Sequence, residues 1–389
     1  MKPILYGVNA SNVRGNGFGI LSDCISCTVT EELNGAYTAE IVYPADGIHF
    51  DEIRPSRLVL IQVSYSSDPY ESRMQFFRVF NQSRPMENDG KMVCSFFLRH
   101  ISYDLDGIAV KNATFPGTAQ QVMRMANETS YIPNDMFEFY SDISGQKDVI
   151  TSTPMDYRKF LVGSEGSVVD VFGGELYFNN YVVELKTSRA GSAPHIQVDY
   201  GRNIAALNQE QTVESIYTHV LPFAVKVENY NTYLVYRTLN PLVEIQQEYD
   251  IGHTRILPLD LTEEFKDGET ITSAAVGSKA AEYIAKHNIS KIIESVTCDI
   301  IDLNRYKELN VIENKIVRGG MADVSFEKYG IRQQMKIVRT VFDSLAEEFT
   351  EITMETKEKA FIGSFVNIAN DVETIKKSLA RVMQVLTPG

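Results

Sequence analysis

Residues 24–44 read CISCTVTEELNGAYTAEIVYP, and the fold class turns on them. Two runs rich in β-branched and aromatic residues flank Asn34-Gly35, a dipeptide suited to the left-handed backbone of a tight hairpin turn. Alternation on either side has the period of two expected of half-buried strands. Outward from this hairpin, LVLIQVSYS at 58–66 is an apolar run that gives way to alternation. The stretch 74–105, MQFFRVFNQSRPMENDGKMVCSFFLRHISYDL, reads as a second hairpin with Asn88-Asp89-Gly90 as its turn. Phe77 and Val79, then Met92, Cys94 and Phe96, carry the period-two pattern across it. Residues 1–105 therefore read almost entirely as strands.

At Gly107 the character changes. Thr118 is placed to cap a helix over the following residues, with Gln121 completing a capping-box pair. Residues 167–172 suggest a short helix stopped by Gly173-Gly174. Two strands then flank the turn at 189–194. Residues 213–250 continue β-rich, with a turn at 229–231, and SAAVGSKAAEYIAKHN at 273–288 has helical spacing. Strands near 291–303, a loop at 314–320 and a hairpin pair over 322–356 follow.

Composition agrees with a sheet-rich chain. Tyr and Phe number 20 each among 389 residues, which tilts the prior toward strands. At roughly 150 residues per domain this length predicts two to four domains. The net charge of −14 disfavours a basic footprint for nucleic acid, so no specific nucleic-acid binding is expected. No apolar run approaches the ~18 residues of a membrane helix, and MKPILYGVNASN lacks the apolar core of a signal peptide. A soluble chain made in the cytoplasm, without a membrane anchor, is the expectation.

The chemistry-bearing residue types do not cluster. Cys24 and Cys27 form a lone CxxC inside the first hairpin, where a zinc site would need a second pair of ligands. The other cysteines are Cys94 and Cys298. The histidines, at 49, 100, 195, 219, 253 and 287, never fall at i, i+4, so no HExxH exists. No G-x-S-x-G occurs either. Gly15-Asn16-Gly17-Phe18-Gly19 is a turn before a strand, with no helix after it to hold a phosphate. No catalytic, cofactor-binding or metal-binding residue is nominated, and the chain is expected not to be an enzyme.

The C-terminal stretch carries the most regular pattern. Phe365, Ile368, Val372, Ile375, Leu379, Val382 and Leu386 recur with 3-4 spacing, and Ser364 is placed as N-cap. Phe365, Val372, Leu379 and Leu386 take heptad position a, while Ile368, Ile375 and Val382 take d. This predicts an amphipathic helix whose stripe is an oligomer interface, with three or four strands favoured over two.

In this order the segments resemble the bacteriophage tail hub family, the prophage tail or "endopeptidase tail" proteins. The residues that carry the resemblance are EELNGAYTAEIVYP (31–44), FFRVF with HISYDL (76–105), GSEGSVVDVFGGELYFNNYVVEL (163–185), DYGRNI (199–204), and VRGGMADVSFEKYGI leading to RTVFDSL (317–345). Each alone is a weak turn-and-strand pattern, and their shared order is what makes them specific. The resemblance implies a β-rich α+β, multidomain chain with two hub-type β-barrel domains, two peripheral α+β domains and the C-terminal amphipathic helix. The expected bounds are 1–105 for the first barrel, 106–194 for a peripheral domain, and 195–230 with 315–356 for the second barrel. An inserted domain would occupy 231–314 and the helix 357–389. The implied role is the structural hub of a tail tip or baseplate, a homotrimeric ring adapting the hexameric tail tube to a central spike or fibre. Expected partners are tail tube or distal tail proteins above, spike, fibre or other baseplate proteins below, and a tape-measure protein. The implied location is a virion or phage-tail-like particle. Longer relatives carry peptidase or lysozyme domains that no segment here matches. A cell-wall hydrolase and a glycan-binding adhesin are the alternative readings.

Overall fold

The computed structural model describes residues 1–10, 17–65, 73–84, 92–164, 166–212, 216–228, 231–237, 240–246, 251–265, 269–287, 293–306 and 315–356. They form two compact units: residues 1–208 with those from 296 onward, and residues 209–295.

Unit 1 begins with β1 (Ile4–Tyr6), β2 (Gly19–Ile20), β3 (Ser26–Glu32) and β4 (Tyr37–Pro44). β3 and β4 are the hairpin read at Asn34-Gly35, in antiparallel register with Glu31 opposite Tyr37. Asn34 takes the left-handed backbone that the turn requires, at φ 55°. Cys27, Val29 and Glu31 point inward from β3, as Tyr37, Ala39, Ile41 and Tyr43 do from β4. Next come β5 (Leu58–Gln62), β6 (Met74–Ser83) and β7 (Val93–His100). β6 and β7 pair as the second hairpin, although its turn at 88–90 lies outside the described residues.

Residues 108–186 hold β8 (Ala109–Val110), β9 (Thr114–Gly117), α1 (Ala119–Glu128), β10 (Glu138–Ser141), β11 (Lys147–Ile150), β12 (Met155–Asp156), α2 (Tyr157–Leu161), α3 (Val168–Phe172), β13 (Glu175–Asn179) and β14 (Val182–Lys186). Thr118 and Gln121 make the capping box at α1, each side chain bonding the other's backbone N–H. Ser167 caps α3, and Gly173 ends it at φ 76°. A hairpin absent from the sequence reading, β13–β14, precedes the 189–194 turn; Asn180 supplies its left-handed residue at φ 52°.

β15 (Ile196–Asp199) and β16 (Ile204–Thr212) follow, and after unit 2 come β21 (Ile293–Ile300), β22 (Met321–Phe326), β23 (Ile331–Asp343) and β24 (Glu348–Glu355). The expected hairpin over 322–356 is a three-strand meander. Gly330, left-handed at φ 69°, reverses the chain between β22 and β23, where the sequence suggested one continuous run. The 13-residue β23 is the spine of a 13-stranded sheet. One of its edges pairs with β24. The other pairs with β22 through residues 331–336 and with β3 through residues 339–343. The N-terminal strands and those after residue 320 thus share one hydrogen-bonded sheet; a large apolar core packs on it, and Tyr6, Leu58, Leu60, Phe76 and Ile101 form a smaller one on β1, β5 and β6.

Unit 2 holds β17 (His219–Glu228), β18 (Asn231–Tyr236), β19 (Val243–Glu244), β20 (Ile256–Asp260) and α4 (Ser273–His287). β17 pairs antiparallel with β18 and β19 and parallel with β20. Val220, Ala224, Leu259 and Leu261 meet Val276 and Ala280 of α4 in its core.

The chain is therefore β-rich, with several sheets. Phe365, Ile368, Val372, Ile375, Leu379, Val382 and Leu386 lie outside the described residues.

Candidate functional site

Three segments distant in sequence meet at a buried ionic junction in unit 1. Glu31 sits on the inward stripe of β3, where its neighbours Cys27 and Val29 are apolar. A carboxylate there must be paired, because an isolated buried charge costs several kcal/mol or more. Arg189 Nη1 donates to Glu31 Oε1 at 2.7 Å, and Arg318 Nε lies 2.7 Å from Oε2. Both arginines are almost wholly enclosed. Arg318 also donates through Nη2 to the Val63 carbonyl at 2.8 Å and through Nε to Thr340 Oγ1 at 3.0 Å.

Glu175, at the start of β13, extends the cluster. Its Oε2 accepts from the Arg189 backbone N–H at 2.7 Å, and Oε1 pairs with Lys336 of β23. Gly319 lies against that carboxylate with φ 74°, and a Cβ there would stand 2.6 Å from Glu175 Oε2. Only glycine serves both the backbone angle and the approach. This is the physical content of the Val317-Arg318-Gly319-Gly320 run.

Asn34 locks the hairpin tip to the same place. Its side chain donates to the Gly174 carbonyl at 3.1 Å and accepts from Leu176 N–H at 2.7 Å. The Gly35 carbonyl accepts from Arg158 Nη2 at 2.7 Å, and Arg158 stacks 3.8 Å from the Tyr103 ring centroid. His100 lies beneath, stacked on Tyr37 with centroids 4.3 Å apart. Its Nδ1 accepts from Ser102 N–H at 3.2 Å, which leaves Nε2–H to donate to Gln75 Oε1, also at 3.2 Å. Burial, reinforced by Arg158 and Arg189, pushes its pKa well below the ordinary imidazole value.

The remaining motifs make comparable anchors. Arg78 grips Asp104 with two bonds, at 2.8 and 2.5 Å, tying FFRVF to HISYDL. Asn203 of DYGRNI accepts from Asp199 N–H at 3.0 Å and donates to the Gln197 carbonyl at 2.9 Å. Its amide thus occupies the edge of β15 as a neighbouring strand would.

These groups hold one another and present no nucleophile beside a base. Among the described residues no His, Cys, Asp or Glu group is arranged to hold a metal ion. Cys24 and Cys27 are both buried free thiols, Cys27 on β3 and Cys24 just ahead of it. Burial pushes the Cys24 thiol up to about 11 and Cys27 well above its usual value, so neither supplies thiolate near neutral pH. The arrangement is a mechanical lock. Most of the segments that supply it carry the sequence resemblance, but the side chains that meet are far apart in the chain. A charged residue on the inward stripe of β3 was the available signal for Glu31.

No protein-family model matches the chain, and no curated protein sequence matches it. Solved structures do: the chain has the fold of prophage tail proteins. Prophage tail protein gp18 from Listeria monocytogenes superposes with a TM-score of 0.57 at 12% identity, over 96% of this chain and 100% of that one. The 43 kDa tail protein of prophage MuSo2 from Shewanella oneidensis gives 0.60 at 13%, over 92% and 98%. A tail protein from Neisseria meningitidis gives 0.56 at 9%, over 94% and 98%.

Proposed function

We propose that the chain is a structural hub of a phage-like tail tip or baseplate and is not an enzyme. The observation that carries this reading is the extent of the fold likeness, which covers at least 92% of this chain and 98% of each of the three relatives. Likeness over the whole length, rather than over one module, is what supports a role of the same kind as that of the tail proteins. The ionic junction is consistent with a structural role, since its buried charges hold one another and fix the segments that carry them.

In this reading residues 1–105 form the first barrel domain, and 195–230 with 315–356 the second. Residues 106–194 and 231–314 are peripheral domains, and 357–389 is a helix. Three copies form a ring that adapts the tail tube or distal tail proteins above to a spike, fibre or other baseplate protein below. A tape-measure protein passes through, and the particle assembles in the bacterial cytoplasm. Phe365, Ile368, Val372, Ile375, Leu379, Val382 and Leu386 line the interface of a helix bundle. Burying each contributes roughly 1.5–3 kcal/mol before ordering entropy.

A cryo-EM map of the assembled tail end tests the hub: three copies around the tail axis support it, and any other stoichiometry sinks it. Mass photometry tests the helix. A trimer that falls to monomer when Ile375 and Leu379 become Asp supports the bundle, and an unchanged mass removes it.

A further inference from the structure

We propose that a cleft at the end of β15 and β22 binds a neutral saccharide. Two adjoining hollows of about 520 and 440 Å³ open there, sharing Asp199, Ser325 and Glu327. Volumes of this size suit a small organic ligand. Tyr200 lines the smaller hollow and Tyr329 lies just outside its lining, 60% and 58% exposed, while Phe326, which touches both, is buried. Phe326 holds both, with ring centroids at 5.1 Å from Tyr200 and 4.7 Å from Tyr329. The two tyrosines are thus ordered by packing yet open to solvent, and docking a flat ligand on them loses little side-chain freedom. Their phenolic ends remain wet, which suits an amphipathic ligand.

The larger hollow supplies planar polar groups. Gln197 Nε2 donates to Asp323 Oδ2 at 2.9 Å, and His195 Nδ1 lies 3.6 Å from Asp323 Oδ1. Arg332 and Gln334 line the same wall. Carboxylate, amide and guanidinium ends each offer two parallel hydrogen-bonding positions, matching neighbouring hydroxyls on a sugar ring. Charge selects within that chemistry. Asp199, Asp323 and Glu327 are offset by Lys328 and Arg332, and Lys328 Nζ already lies 5.1 Å from the Tyr200 ring centroid. Arg202 Nη1 also lies 3.9 Å from Asp199 Oδ2, so three carboxylates stand against three cations, and with no net charge to attract a polyanion or a polycation an uncharged polyol with an apolar C–H face fits best. The inference is independent of the hub assignment.

The test uses the full chain and four neutral pentasaccharides, built on β-1,4-glucose, α-1,4-glucose, β-1,4-N-acetylglucosamine and β-1,4-galactose, with dextran sulfate as the charged control. Calorimetry and saturation-transfer NMR should detect binding of at least one pentasaccharide. Tyr200→Ala and Tyr329→Ala should each weaken it about three- to tenfold, while Tyr200→Phe and Tyr329→Phe retain most of it. Circular dichroism and gel filtration confirm that the variants stay folded. Absence of binding by all four overturns the proposal, as does preference for dextran sulfate. Undiminished binding by the double alanine variant overturns it too. If that variant instead loses self-association while saccharide binding is unchanged, the rings belong to a protein contact and the proposal fails.

Discussion

The interiors of the two units hold their elements by different means. Unit 1 buries aromatic residues such as Tyr43, Phe77, Phe96 and Phe342 and threads the Glu31–Arg189–Arg318 ion pairs through the same core. Unit 2 rests on Val220, Ala224, Ile245, Leu259, Leu261, Val276 and Ala280; the aromatic rings that pack against this core among the described residues, Tyr217, Phe265 and Tyr283, are only partly buried. The ion pair described there, Lys279–Glu269, is at the surface. Apolar contact is non-directional and tolerates sliding; charge-assisted hydrogen bonds fix angle and register. Unit 1 is built for a single geometry, and unit 2 for adequate stability around a small core.

The largest effect should come from Glu31→Gln. It leaves two enclosed guanidinium groups facing a neutral amide, and breaking a buried pair this way costs about 3–5 kcal/mol. Urea titration should show the unit 1 transition falling to lower denaturant, with unit 2 unaffected. In unit 2, Leu261→Ala should cost about 2–5 kcal/mol through lost contact and residual cavity. Hydrogen exchange should then accelerate in β17 and β20 while β3 and β4 keep their protection. Equal loss in both units would erase the distinction.

Acid should separate the two interiors more gently. Below pH 6.5 the unfolded His100 takes up a proton that the buried ring, with its depressed pKa, refuses. Stability therefore falls as pH drops from 6.5 toward the folded pKa, by up to about 1.4 kcal/mol per unit, and is unaffected by this group above 6.5. Denaturation at several pH values should show this slope in the unit 1 transition, and His100→Asn should flatten it. The smallest change expected is Thr118→Ala, about 1 kcal/mol from the lost cap of α1, read as a lower unit 1 melting temperature.

Local features were legible in the sequence because their causes are local. The Asn34 turn, the Thr118–Gln121 box and the Ser167 cap each depend on residues within four positions of one another. What could not be read is pairing between distant strands. β15 runs parallel to β22, β10 parallel to β14, and β3 lies against β23, yet nothing in any one strand encodes its neighbour's register. The junction was hidden for the same reason. Glu31, Arg189 and Arg318 are unremarkable until the sheet brings them together. The turn between β22 and β23 is harder to read, because a single glycine, Gly330, marks it inside a stretch whose flanks both alternate like strands.

The β3–β23 pairing also bears on how the chain is made. The partner residues of β23 leave the ribosome more than 300 positions after those of β3. At about 5–20 residues per second, the outer edge of β3 waits roughly 15–60 s for its mate. An edge left open that long is a template for joining other nascent chains, and charge is the usual guard against that. Glu31 and Glu32 stand on that edge from the start. The carboxylate that ends between Arg189 and Arg318 is thus expected to begin as a repellent, and Glu31→Gln should raise light scattering during refolding.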